Sequence, residues 1–150
     1  MRSDAALRRA IARAEAILPG RPAPPGEKDP RWQAIMRIGD FIPTHPEPVC
    51  DFAMKWARRR GLDLQSAIYC CLIEHLLEHH FDLVFPRMRK AALENKRVAK
   101  HFDSVPTVWL FGQAQLPKNK ARLRRLATTL QRKHQLDELP SKPTGRKARR

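Results

Sequence analysis

The sequence predicts an all-α protein, organised as a short right-handed α-solenoid of antiparallel helix pairs. Three observations predict it. Apolar residues recur at three- and four-residue spacing in one segment after another, as half-buried helices require. No segment sustains the period-two alternation of a strand, so no strand is expected. Three residues suited to cap a helix, Asp29, Asp63 and Asn95, stand 34 and 32 residues apart, a period that accommodates two helices per unit.

The elements follow in order. Residues 4–18 come after Ser3 as N-cap, and Leu7, Ala10, Ile11, Ala14, Ile17 and Leu18 fall on one helical stripe. Pro19 and Gly20 stop that helix. Residues 19–28 hold four prolines and two glycines and make an extended linker. Beyond such a linker, helix one is expected either to pack loosely or to serve a partner. Asp29-Pro30 pairs an N-cap with proline at the first helical position. Trp32, Ile35, Met36, Gly39 and Ile42 form the next apolar stripe, with Gly39 allowing close approach of another helix. Pro43 and Pro46 end it. A partner helix over about residues 47–60 carries Val49, Phe52, Ala53 and Trp56 on one face, with Gly61 as its stop.

The pattern then recurs. Asp63 is expected to cap a helix reaching about His80, and Asp82 the following one, with Val84, Met88 and Ala91 on its stripe and an end near Glu94. Pro86 falls at about its fourth position, where a missing N–H costs nothing. Asn95 opens a shorter helix to about Phe102. Residues 103–117 read as irregular, with one turn near residues 108–111 carrying Trp109. A long helix over about residues 118–134 closes the fold on Leu123, Leu126, Ala127, Leu130 and His134. Residues 135–150 have the composition of a disordered tail. The organisation is thus an N-terminal helix (1–18), a Pro-rich linker (19–28), a helical domain (29–134) and a basic tail (135–150).

The first residues of the units also agree. Gln33-Ala34-Ile35 matches Ser66-Ala67-Ile68 in character, while Pro48-Val49 and Leu83-Val84 start the partner helices. In such an array each pair buries its apolar face only against its neighbours. Residues 29–134 resemble a HEAT-like repeat array, including the HEAT-like repeats of the DNA alkylation-repair glycosylase family. That resemblance implies the fold alone. The acidic and aromatic site residues of that family find no matching positions here, so its activity is not carried over. The alternative is an irregular helical bundle with helices of similar length.

Charge is the most unusual property. The formal net charge is +15, and it is segregated: residues 1–60 carry +5, residues 61–117 none, and residues 118–150 +10. A basic block of this kind attracts polyanions. We therefore expect a non-enzymatic interaction module whose basic end contacts nucleic acid or an acidic protein surface. The contact residues would be Lys118, Lys120, Arg122, Arg124, Arg125, Arg132 and Lys133, with Arg146, Lys147, Arg149 and Arg150 extending the field. Neutralising phosphates with such a set gives salt-dependent, sequence-tolerant binding. Zinc-finger spacing, an RNP aromatic pair, a Gly-rich phosphate loop and a nucleophile elbow are all missing from the sequence. No cofactor and no small-molecule substrate is expected.

One segment suggests metal chemistry. His75 and His79 are four residues apart, on one side of a helix, and with Glu78 they spell H-x-x-E-H. Two neutral imidazoles could hold zinc with Glu78 as general base, given a third ligand from elsewhere. A polar helix face is the simpler reading, because Tyr69, Leu72, Ile73, Leu76 and Leu77 fill the opposite arc. We assign no metal on this basis. A metal-dependent hydrolase using His75, Glu78 and His79 stands as the alternative function.

Cys50, Cys70 and Cys71 do not form a disulfide framework, and the last two lie in an apolar run where burial is expected. A reducing, cytoplasmic compartment follows. No stretch approaches the roughly 20 apolar residues of a membrane span. Arg8, Arg9 and Arg13 interrupt the N-terminal apolar residues, which argues against a secretory signal, while Asp4 and Glu15 argue against a mitochondrial presequence.

Overall fold

The computed structural model describes residues 3–103 and 110–138, and every regular element among them is helical. α1 (Asp4–Ile17) starts where its sequence says, with the Ser3 hydroxyl accepting the Ala6 N–H at 3.2 Å. Leu7, Ala14 and Leu18 are buried, and the helix packs along α2 (Pro30–Gly39). Glu15 pairs with Lys55 at 2.5 Å and Asp4 with His45 at 2.7 Å. Exposed pairs like these add little, so the buried leucines hold α1 in place. The first helix is docked, not loose.

α2 begins as expected, with Asp29 accepting the Arg31 N–H at 2.9 Å and Pro30 in the first turn. Its buried face is rotated from the expected stripe. Ala34, Ile35 and Ile38 are buried, whereas Trp32 is 37% and Met36 47% exposed, and Arg31 is only 4% exposed. A guanidinium tolerates that position because acceptors surround it. It donates to Asp29 at 2.7 Å, to Asp63 at 2.8 Å and to the Gly20 carbonyl at 3.1 Å. Asp63 is thereby drawn away from its expected capping role. The helix beyond it starts behind Leu64, a side chain that cannot accept a hydrogen bond.

α3 (Pro46–Ala57) buries Val49, Cys50, Phe52, Ala53, Met54, Trp56 and Ala57. Next come α4 (Gln65–Ile68), one π-helical turn (Tyr69–Ile73) and α5 (Glu74–His79), which follow one another without a gap as a single rod. Ile68, Leu72, Ile73, Leu76 and Leu77 are wholly buried, and the rod lies against α2, α3 and α6 (Phe81–Glu94). Gly39 of α2 crosses the π turn as its sequence suggested. A Cβ there would stand 3.0 Å from the Cys71 carbonyl oxygen. The cysteines of that turn depart from expectation: Cys70 is exposed and Cys71 half-buried, and only Cys50 is buried.

α6 starts at Phe81, so Asp82 does not cap it, and Pro86 becomes its sixth residue rather than its fourth. There the missing N–H leaves the Asp82 carbonyl without its helical partner. Asn95 caps α7 (Lys96–Ala99) as expected, accepting the N–H groups of Arg97 and Val98. A 3₁₀ turn (Gly112–Gln115) leads into α8 (Pro117–Glu138), four residues longer than its expected end at His134. The Trp109 turn and residues 139–150 of the tail lie outside the described residues. α3 packs on α6, α6 on α8, and α5 on the 3₁₀ turn. No helix among the described residues is long and apolar enough to cross a membrane.

Candidate functional site

α8 presents two opposite faces for a simple geometric reason. At 100° per residue, Leu123, Leu126 and Leu130 share one side, and they are 2%, 3% and 0% exposed. Lys118, Arg125 and Arg132 share the other at seven-residue intervals, and all three are exposed. At about 1.5 Å per residue, these three cations are spaced about 10 Å apart along the helix. Neither they nor the neighbouring Arg124 has an ion-pair partner among the described residues.

The seven cations expected to act together are divided by the structure. Arg122 donates to Asp82 at 2.9 Å, at the start of α6, and Lys133 donates to the Leu93 carbonyl near its end. Gln131 adds a bond to the Asp103 carbonyl at 2.7 Å. Arg122 and Lys133 thus clamp the rim of α8 to α6 at two points, while the buried leucines between them hold the helix in place. Lys118, Arg124, Arg125 and Arg132 stay outward, and Lys120 is half-buried beside them.

The His75, Glu78 and His79 set is brought together by α5. One ligand atom from each lies within 4.8 Å of the others. The expected polar face is not uniform, because His75 and His79 are exposed while Glu78 is only 7% exposed. Glu78 can be buried because Phe111 donates its N–H to Oε1 at 3.1 Å, while Oε2 lies 3.5 Å from His75 Nδ1. Phe111 reaches that carboxylate because Gly112 lies against α5 with φ +57°, where a Cβ would stand 2.5 Å from the Glu78 carbonyl oxygen.

Two basic grooves escaped the sequence reading. A groove of about 520 Å³ sits beside the π turn, ringed by Arg59, Arg97 and Lys100 and containing no carboxylate. Its wall carries Tyr69 and His101, stacked with ring centroids 6.0 Å apart. Burial pushes the Tyr69 phenol up to about 12 and holds the His101 imidazole below its usual value. Gln65 fixes the proton on that imidazole. Its amide N–H donates to the Trp56 carbonyl, so its oxygen faces His101 Nε2 at 2.7 Å and must accept from it. A second groove of about 990 Å³ runs between α1 and α2, with Arg9, Arg13, Lys28 and Arg37 around Ala10 and Met36. In both, the cations come from separate segments, so local patterning could not group them. The local hints were Arg9 and Arg13, four apart on α1, and Arg97 and Lys100, three apart on α7 and its C-cap.

No protein-family model, no curated protein and no solved structure matches this chain.

Proposed function

We propose that the protein is a helical interaction module that binds nucleic acid through the phosphate backbone, using the outer face of α8. One observation carries this reading: Lys118, Arg125 and Arg132 stand in a row opposite the leucine stripe, exposed and without an ion-pair partner among the described residues. Cations that are already solvated and free of carboxylates cost little to bring to a phosphate. Each contact displaces condensed counterions, which drives binding at low salt. Seating of the apolar side on α6 holds the row still, so a partner does not have to order it. The two further basic grooves enlarge the field that steers a polyanion toward the surface.

The solenoid reading of the body rests on two contacts between its units, α2 against the central rod and α3 against α6. No base-reading motif is part of this proposal, so binding is expected to be indifferent to sequence.

A salt titration of affinity for a labelled DNA duplex tests it, with the triple variant K118Q/R125Q/R132Q beside the parent chain. The slope of log K against log salt should flatten by about three in the variant, with an unchanged circular-dichroism spectrum. Equal slopes, or no binding by the parent at low salt, would refute it. Binding of polyglutamate in preference to DNA would reassign the partner to an acidic protein surface.

A further inference from the structure

The geometry points to a divalent transition-metal site, with zinc as its natural occupant, formed by His75, Glu78 and His79 on α5. It is independent of the polyanion reading and involves none of the α8 cations.

Glu78 is nine-tenths buried, and a carboxylate so placed needs compensation. Its Oε1 accepts the Phe111 N–H at 3.1 Å, and its Oε2 lies 3.5 Å from His75 Nδ1. That separation is longer than a hydrogen bond and leaves room between the two atoms. The Phe111 N–H does for Glu78 what outer-sphere donors do for metal-ligating carboxylates: it fixes the plane of the group and aims the other oxygen. Oε2 is aimed toward the two imidazoles.

The imidazoles are set to meet it. His75 and His79, one helical turn apart, lie with ring centroids 6.4 Å apart and planes within 11° of each other, so both reach the same side of α5. The three ligand atoms span at most 4.8 Å. Tetrahedral zinc with bonds of about 2.0–2.1 Å needs its ligands about 3.3 Å apart. The set therefore has to contract by somewhat over 1 Å. Both histidines are exposed and can turn to do so, while the buried carboxylate stays put. Two imidazole nitrogens and one carboxylate oxygen, with a fourth position open to water, are a borderline-hard donor set suited to zinc. Here Glu78 is a ligand held by Phe111, not the free base that a hydrolase would require. The site binds metal and carries no hydrolytic step.

Cobalt(II) titration of the full chain, stripped with chelator, tests the site, because cobalt reports its ligands by colour. One equivalent should bind with the visible bands of nitrogen and oxygen ligands, without thiolate charge transfer, and zinc should displace it. H75A and H79A should each lower affinity at least tenfold, whereas H134A and C70S/C71S should leave it unchanged. E78Q keeps an acceptor for the Phe111 N–H, so it should fold normally yet bind at least tenfold more weakly. A thiolate band, undiminished binding in H75A and H79A, or no saturable binding would each overturn the proposal.

Discussion

At the scale of single residues, charge placement is decided by partners far along the chain. Arg31 is the clearest case. Its side chain lies in the interior between Asp29 and Asp63, the latter 32 residues away. The Arg31 guanidinium holds both carboxyls below their usual value of 3.8. Replacing it with methionine retains apolar bulk but leaves two carboxylates facing each other across a gap. Breaking a fully buried pair costs about 3–5 kcal/mol. Asp63 is half-exposed, so R31M should cost about 2–3 kcal/mol in urea unfolding at pH 7, and a loss under 1 kcal/mol would show the network to be ornamental.

His101 gives a separate signature. In the unfolded chain its imidazole takes a proton near pH 6.5, whereas burial holds the folded value lower. The stability it contributes is therefore full above pH 6.5 and is lost as pH falls toward the folded value. The Asp29 and Asp63 contribution persists down to about pH 4, because those folded values lie below 3.8. A fall in stability between pH 7 and pH 5 should thus be smaller in H101Q than in the parent. Identical falls would remove His101 as the cause.

At the scale of elements, two close approaches set the geometry. Where α2 crosses the π turn, Gly39 lets the Cys71 carbonyl approach. Alanine there gains helix propensity worth up to about 1 kcal/mol, but overpacking against backbone costs about 1–3 kcal/mol. G39A should come out destabilised by about 1 kcal/mol in thermal unfolding, and a stabilised variant would mean that the crossing yields easily. Gly112 is less forgiving, since it combines a left-handed φ with a Cβ position inside the Glu78 backbone. Strain alone costs about 1–3 kcal/mol, so G112A should lose at least about 2 kcal/mol and weaken cobalt binding by freeing Phe111 from Glu78. The π turn also sets the thiol order. Cys70 is exposed while Cys50 is buried with its thiol pushed up to about 12. A thiol reagent should modify Cys70 first and leave Cys50 intact in the folded protein.

Helix existence could be read locally, but helix partnership could not. Ser3, Asp29 and Asn95 cap as their sequence predicts, because an N-cap needs only N–H groups two or three residues away. Asp63 looks the same in sequence, yet Arg31 takes its carboxylate. Similarly, Trp32 and Met36 sit on an apolar stripe by spacing, while α1 and the rod cover the side of α2 that carries Ala34, Ile35 and Ile38.

At the scale of the whole molecule, the formal charge of +15 is distributed more widely than the last block of sequence suggests. Besides α8, cations from separate segments gather at the two grooves. Truncation after Glu138 removes Lys142, Arg146, Lys147, Arg149 and Arg150 and no carboxylate. If the folded body is the primary contact, that chain should keep a salt-dependent affinity for DNA with a shallower slope. Complete loss of binding on truncation would move the contact from α8 to the tail.

Sequence alone determined that this chain is helical, where most helices begin, that leucines would seat the last one, and that its outer side would be basic. Each of these depends on residues within a turn or two of one another. Tertiary structure alone decided that Arg31 is interior, that Arg122 and Lys133 act as clamps, that a π turn interrupts the central rod, and that Phe111 holds Glu78 beside two histidines. All but the π turn join segments about 30 or 40 residues apart, and no local periodicity records which acceptor a buried donor will meet once the core has closed.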